Sequence, residues 1–532
     1  MVGIDPDRSQ SNSRLWSFVL LALVAGIGLG LYLRYTQTHI AGWDPLAYLY
    51  AGERIAGGDG PTVCHPYNEA IGPYFTLAGF NVQIEKGECL YLNYPPGFPL
   101  LLAAAQVLTG RQGAALYVPA ILGMLGILST FALGAVLFDR WVGLVGAGVI
   151  ALTPTYLSAS TSPWSDLAST VFVTGGIALY LWGQSLSVER EKWSAVASAG
   201  GGGLVVYSFF IRYTSAVALL PLVLYVLVTQ RRDVFRRTTH RLFGGVIILG
   251  LLGVLGFNRV YYGGFLTTGY SPRHGWYTWP AFSLRYALGP SPVGGRSLIA
   301  AIETLRENLG WLLIPGLIGL MTMSRRERLF TAGLILSFTL FYGLYAFAPR
   351  DVNARLLLPT FPAVALTVAC GLRYGVLRWG GDKKGRLWTL AGGVFLVVAL
   401  GWPLPDRLHA LQERNEGARQ HVQAVQALVE HTEPDAIFLA YALNDPIFFY
   451  GKRISLFYRR MPPLDPVTDT YRRDELESRL IEVVTQLLHR SVPVYYVQGS
   501  DPPFADSLDI LRRHFSLYPQ EGTNPLVYRV QE

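Results

Sequence analysis

The sequence predicts an α-helical polytopic membrane protein with a C-terminal soluble α/β domain, and three observations predict it. Of 532 residues, 51% are hydrophobic and only 15% charged, with a mean hydropathy of +0.31; a soluble multidomain chain is excluded. The charge is also uneven, because residues 405–532 hold 14 Lys/Arg and 18 Asp/Glu whereas residues 1–404 hold 30 and 18. The composition break near Pro403 and Pro405 therefore divides a membrane domain, 1–404, from a soluble domain, 405–532. Third, the basic excess of the first part lies in short loops between apolar runs, which is the pattern of membrane topology and not of nucleic-acid binding.

A helix needs about 20 apolar residues to cross a hydrocarbon core of roughly 30 Å. About 11 transmembrane helices are expected, near 15–34, 112–138, 141–158, 164–184, 194–210, 214–229, 241–260, 308–323, 329–347, 355–377 and 387–404. The stretch Phe98 to Thr109 has only 12 residues and follows Pro95 and Pro96, so it is expected to lie along the surface. With the N-terminus cytoplasmic, the five short inside loops carry 15 basic residues: Arg140; Arg190 and Lys192; Arg231, Arg232, Arg236, Arg237 and Arg241; Arg325, Arg326 and Arg328; Arg378, Lys383, Lys384 and Arg386. The short outside loops carry only Arg212, Arg350 and Arg355, a strong positive-inside bias. Two long outside loops follow, about 35–111 and 261–307, and the C-terminal domain is extracytoplasmic. The first span is read as an uncleaved helix, since no small-residue cleavage site follows it before His39 and Ile40.

Cys64 and Cys89 share the first outside loop, while Cys370 lies within a span. In an oxidising compartment a Cys64–Cys89 disulfide would contribute roughly 3 to 4 kcal/mol by loop closure; two unpaired thiols are the alternative. No zinc, CxxC or haem spacing occurs. His39, His65 and His274 are outside but share no ligand spacing.

The first outside loop opens with Trp43-Asp44-Pro45 and runs to Gly57-Gly58. Asp before Pro reads as N-cap then N1, and the glycines as the helix end, giving an amphipathic helix at the membrane face. The loop closes with Asn93-Tyr94-Pro95-Pro96-Gly97-Phe98-Pro99-Leu100-Leu101-Leu102-Ala103. An acidic residue after the first span, a D-x3-Y-x2-A-x3-I-x-x-G helix and YPPGFPLLLA resemble the GT-C superfamily of integral-membrane glycosyltransferases, in its dolichyl-phosphate-mannose-protein mannosyltransferase-like branch. Thr153-Pro154-Thr155-Tyr156 with Ser165-Asp166, Arg212 with Pro221, and Arg355-Leu356-Leu357-Leu358-Pro359 with Pro362 are similar to further family segments, in order. Many relatives follow the first aspartate with glutamate; Pro45 stands there in this chain.

The resemblance implies transfer of a sugar from a polyprenyl-phosphate-linked donor, held in the bilayer, to a lipid, glycan or protein acceptor on the extracytoplasmic face. It implies inversion at the anomeric carbon with Asp44 as general base. Asp166, Arg355, Arg350, Arg212 and Tyr94 become candidates for binding the donor phosphate or the acceptor. Asp44 and Asp166 are the candidate ligands should a divalent cation take part. A bacterial inner membrane is the expected location, and no nucleic-acid partner is expected.

Each residue also has a plainer reading. Asp44 and Asp166 are cap candidates, and Arg212, Arg350 and Arg355 lie at outer span ends where snorkelling is common. Gly200 to Gly203 would let helices approach closely. Tyr261, Tyr262, Tyr270, Trp276, Tyr277 and Trp279 form an interfacial belt or line a cleft. A polytopic transporter or flippase of lipid-linked glycans is the rival reading, although the polar residues cluster at the outer face and no internal repeat is found. A non-catalytic scaffold is the other. In the C-terminal domain, strands are expected at Asp435 to Tyr441, Ile454 to Tyr458, Val492 to Gln498 and Leu526 to Val530, and helices at Asp474 to Arg490 and Ala505 to Arg513.

Overall fold

The protein is described by a computed structural model over residues 6–186, 190–230, 237–270, 281–292, 295–379, 384–440, 442–456, 473–498, 505–523 and 526–532. Arg231, Arg232, Arg236, His274, Trp276, Tyr277, Trp279, Lys383, Tyr441 and Tyr458 lie outside the described residues. Among the described residues, 8 helices are long and apolar enough to cross a membrane: Leu15–Arg34, Gln112–Leu137, Ser165–Ser185, Glu191–Ile211, Tyr213–Gln230, Thr238–Tyr261, Asp351–Arg378 and Ala391–Glu430. The chain is an integral membrane protein.

Three of the expected spans differ, each for a local reason. The 141–158 segment breaks into Arg140–Ala151 and Pro154–Ala159, because Pro154 lacks the N–H that would continue the ladder. The 308–323 segment gives a 3₁₀ turn, Gly310–Leu312, and then a 10-residue helix, Leu313–Thr322. The 329–347 segment starts earlier, as Arg325–Gly343. Ser324 caps it with Glu327 in a reciprocal capping box, which draws charged residues into its first turn. The Phe98 to Thr109 stretch is a 13-residue helix, Gly97–Thr109, that buries Phe98, Leu102 and Ala103 and exposes Val107 and Leu108.

By compactness the chain forms two units, and the grouping is not the one the composition break marks. The first takes residues 1–36, 117–254 and 281–411; the second takes 37–116, 255–280 and 412–532.

In the first unit, Leu133, Ile177, Val205, Phe209, Phe338, Leu357 and Leu366 centre a continuous apolar core. The small residues foreseen at Gly200 to Gly203 bring helices together: a Cβ on Gly201 would stand 2.6 Å from the Gly176 carbonyl oxygen. Asp139 caps Arg140–Ala151, accepting from the amides of Trp141 and Val142, and also pairs with Arg373.

The second unit holds both sheets. Strands β1 (Thr62–Cys64), β2 (Phe80–Lys86) and β3 (Cys89–Leu92) form an antiparallel sheet in the order β1-β3-β2. Cys64 and Cys89 stand opposite each other in that register and are joined by a disulfide. Strands β4 (Ile437–Leu439), β5 (Ile454–Leu456), β6 (Val494–Val497), β7 (Ser516–Pro519) and β8 (Val527–Gln531) form a sheet in the order β5-β4-β6-β8-β7, parallel at β4 and antiparallel beyond β6. The period-2 alternation of a strand sorts its two faces. Ile437, Leu439, Val494 and Tyr496 pack with helices Arg473–His489 and Ala505–His514. Phe438, Ala440, Tyr495 and Val497 pack with Val425 and Leu428 of the Leu404–Glu430 helix. Tyr74, Phe75 and Ala78 of the first loop join the former core, with Trp43 packed against it.

Glu433, just ahead of β4, accepts a hydrogen bond from Tyr495 of β6 and pairs with Arg529 of β8 at 2.9 Å. Burial opposes its charge, but the Tyr495 hydroxyl, its own backbone amide and Arg529 together hold its carboxyl below the usual carboxylate range. A carboxylate whose pKa is depressed by folding adds stability above its unfolded pKa and loses it as pH falls through the folded one. Glu433→Gln is therefore expected to lower Tm at neutral pH, with the difference from wild type shrinking as pH falls below the ordinary carboxylate range, which thermal melts across pH measure.

Candidate functional site

Asp44 lies near the start of the Trp43–Gly57 helix, but Gly42, not Asp44, is the N-cap, with no side-chain cap bond. The Leu46 amide reaches the Gly42 carbonyl, so the helix begins one residue ahead of the aspartate and the cap role expected of Asp44 passes to Gly42. The Asp44 carboxylate instead accepts a hydrogen bond from the Tyr94 hydroxyl at 2.5 Å. Burial, and then the Asp44 charge, push the Tyr94 hydroxyl well above its ordinary range, so Tyr94 stays a proton donor to Asp44.

The surrounding packing fixes that donor. The Tyr94 ring meets Tyr48 at 4.7 Å and Tyr270 at 6.0 Å between centroids. Tyr262 donates from its hydroxyl to the carbonyls of Leu92 and Tyr94, and Tyr261 donates to Pro61. Two glycines permit this approach of backbone to backbone. A Cβ on Gly269 would stand 2.0 Å from the Asn93 carbonyl oxygen, and one on Gly79 would stand 2.2 Å from the Ala47 Cβ. The disulfide ties β3, which leads directly into Asn93 and Tyr94, to β1.

In the first unit a second cluster forms where helix ends meet. Asp166 is in the first turn of Ser165–Ser185, which Trp164 precedes as N-cap without a side-chain bond. Its carboxylate is 2% exposed and bracketed, with Arg212 at 3.0 Å on Oδ1 and Arg355 at 2.8 Å on Oδ2. Arg212 ends the Glu191–Ile211 helix and also reaches the Ser165 hydroxyl at 3.2 Å. Arg355 comes from the 3₁₀ segment Asp351–Thr360. It donates from Nε to the Val352 carbonyl and lies 3.9 Å over the Trp164 ring. Ser169 with Ser215, and Tyr342 with Thr214, tie the same ends together.

Two guanidiniums against one carboxylate leave a formal excess of one positive charge in a nearly buried setting. Low local dielectric strengthens the pull of that excess on an anion, and Arg forks suit phosphate. Arg350 is not part of this cluster: it is exposed and pairs with its neighbour Asp351 at 3.4 Å. Trp164 is the member that sequence reasoning missed, although its place between Pro163 and Ser165-Asp166 was a visible signal.

Among the described residues no three His, Cys, Asp or Glu side chains come together as a metal site. Both Asp166 oxygens already face guanidiniums, an arrangement that repels a divalent cation.

Residues 93–256 match the family described as dolichyl-phosphate-mannose-protein mannosyltransferase. No curated protein matches the chain. Among solved structures, ArnT from Cupriavidus metallidurans in the apo state is 16% identical, with a TM-score of 0.61 over 98% of both chains. The same protein bound to undecaprenyl phosphate gives a TM-score of 0.62 at 15% identity, over 96% of this chain and 97% of that one. The archaeal oligosaccharyltransferase AglB from Archaeoglobus fulgidus, in complex with an inhibitory peptide and a dolichol-phosphate, gives 0.56 at 12% identity, over 91% and 70%.

Proposed function

We propose that this chain, which has the GT-C fold and resembles its mannosyltransferase-like and ArnT-like members, transfers a sugar from a polyprenyl-phosphate-linked donor to an acceptor on the extracytoplasmic side of a bacterial inner membrane. The N-terminus is cytoplasmic and the 405–532 domain extracytoplasmic in this reading. Asp44 takes the proton of the acceptor hydroxyl as its oxygen attacks the anomeric carbon. The bond from that carbon to the phosphate oxygen breaks, the electron pair leaves with the lipid phosphate, and the configuration inverts. Tyr94 holds Asp44 in its orientation. Arg212 and Arg355, preset by Asp166, balance the charge of the departing phosphate.

The observation that carries this reading is the buried Arg212–Asp166–Arg355 cluster at the start of a membrane span. Two cations drawn into one low-dielectric place are costly unless an anion uses them. The undecaprenyl phosphate in ArnT and the dolichol-phosphate with a peptide in AglB support a lipid-phosphate donor here. Mass spectrometry of envelope glycans and lipids from cells with and without the gene tests it. Loss of one sugar from one glycan or lipid class, with a rise in a polyprenyl-phosphate sugar, is expected; unchanged glycans and lipids would count against it.

A further inference from the structure

Asn444 and Asp445 have no exposure at all, yet both are polar and neither figures in the transfer step. They begin the short Asn444–Phe449 helix beside the five-stranded sheet. Asp445 Oδ1 accepts the Ala78 amide at 2.8 Å, and Asn444 Nδ2 donates to the Thr76 carbonyl at 3.1 Å and to Asp445 Oδ1 at 2.7 Å. The turn they hold, 75–79, is itself buried.

That turn bears on both members of the Asp44–Tyr94 pair. The Gly79 carbonyl accepts the Asn93 amide at 2.8 Å, one residue before Tyr94. A Cβ on Gly79 would stand 2.2 Å from Ala47, one turn beyond Asp44 on its helix, and 3.0 Å from the Tyr94 ring. The following residues brace the same helix: Tyr50 meets Phe448 edge-on at 5.5 Å, and Lys452 faces Glu53 at 3.6 Å. Burying a carboxylate costs desolvation that its hydrogen bonds must offset, and the bonds Asp445 makes fix the 75–79 turn.

We propose that Asn444 and Asp445 are positioning residues for the general base: the C-terminal segment sets the 75–79 turn, and the turn sets Tyr94 and Asp44. The proposal rests on the reading of Asp44 above. A base displaced by about 1 Å loses on the order of 100-fold in rate, and a group used only in the transition state changes kcat rather than KM.

The test compares Asp445→Ala, Asp445→Asn, Gly79→Ala and Asp44→Asn in the full-length protein, with kcat and donor KM measured for each. Asp445→Ala is expected to lower kcat by about 100-fold with donor KM unchanged. Asp445→Asn is expected to stay near wild type, since its amide oxygen still accepts the Ala78 amide. Asp445→Ala with Gly79→Ala is expected to cost less than the two separate losses combined, as both act through one turn. Wild-type kcat in Asp445→Ala beside an inactive Asp44→Asn would overturn the positioning role and leave the base standing. Wild-type kcat in Asp44→Asn would overturn the base reading and this proposal with it. If Asp445→Ala does not fold, Asn444→Ala decides: a lower kcat at constant KM supports the proposal, and wild-type values overturn it.

Discussion

Asp44→Asn is expected to lower kcat by about 10²- to 10⁴-fold, the range a positioned general base contributes. The substitution is nearly isosteric, and the asparagine carbonyl still accepts the Tyr94 hydroxyl that Asp44 accepts at 2.5 Å. The helix start is unaffected, because Gly42 provides the N-cap. Donor affinity should hold, since Arg212 and Arg355 pair with Asp166 and not with Asp44. The discriminating result is thus a loss in kcat at constant donor KM, read by transfer kinetics on protein whose melting temperature matches wild type. A variant that loses donor binding instead would make Asp44 part of a binding surface.

Arg355→Ala should produce a different pattern, a lower kcat together with a donor KM raised by about 10- to 100-fold, as expected when a charged hydrogen-bond donor worth about 1.5 to 3 kcal/mol, used both to bind the donor phosphate and to balance its charge as it departs, is removed. The side chain is 11% exposed, lies 3.9 Å over Trp164 and holds Asp166 at 2.8 Å. Its removal turns two cations against one anion into a neutral pair, so the local excess of positive charge disappears. Arg355→Lys keeps the charge but loses the planar stack and the fork, and its donor KM should fall between the two. Arg350→Ala is the control: Arg350 is exposed and paired with Asp351, so its donor KM should stay near wild type. Equal effects at Arg350 and Arg355 would mean that bulk positive charge, not the buried cluster, attracts the donor.

How much of this the sequence disclosed depends on the range of the interaction. Hydropathy reported the apolar helices, and alternation reported the C-terminal strands at 437–439, 454–456, 494–497 and 527–531. Both are local properties, repeated over many residues. The exposed strand Ser516–Pro519 was missed because its pattern has no buried face to repeat. Pro154 breaks the 141–158 segment, but the apolar run continues on both sides of it, so hydropathy alone does not register the break.

The site divided in the same way. Asp44, Tyr94, Asp166, Arg212 and Arg355 could be singled out from their motifs, but the motifs did not pair them. Tyr94 was expected to bind donor or acceptor, and its hydroxyl is directed to Asp44, 50 residues away in sequence. Asp166 and Arg355 are 189 residues apart, and Ala78 and Asp445 are 367. Separations of that size are set by tertiary packing, which leaves no periodic trace along the chain. Asn444-Asp445 in particular reads as an ordinary turn in a charged domain, and only burial sets it apart.

The most direct test reconstitutes the purified protein in vesicles with the donor lipid identified from cells, and follows donor and acceptor together. The proposed reaction requires polyprenyl phosphate to be released in step with acceptor glycosylation, with the opposite anomeric configuration in the new bond by NMR. Donor that crosses the bilayer intact, with its sugar still attached and no new glycosidic bond formed, would contradict it and make the protein a carrier of lipid-linked sugars.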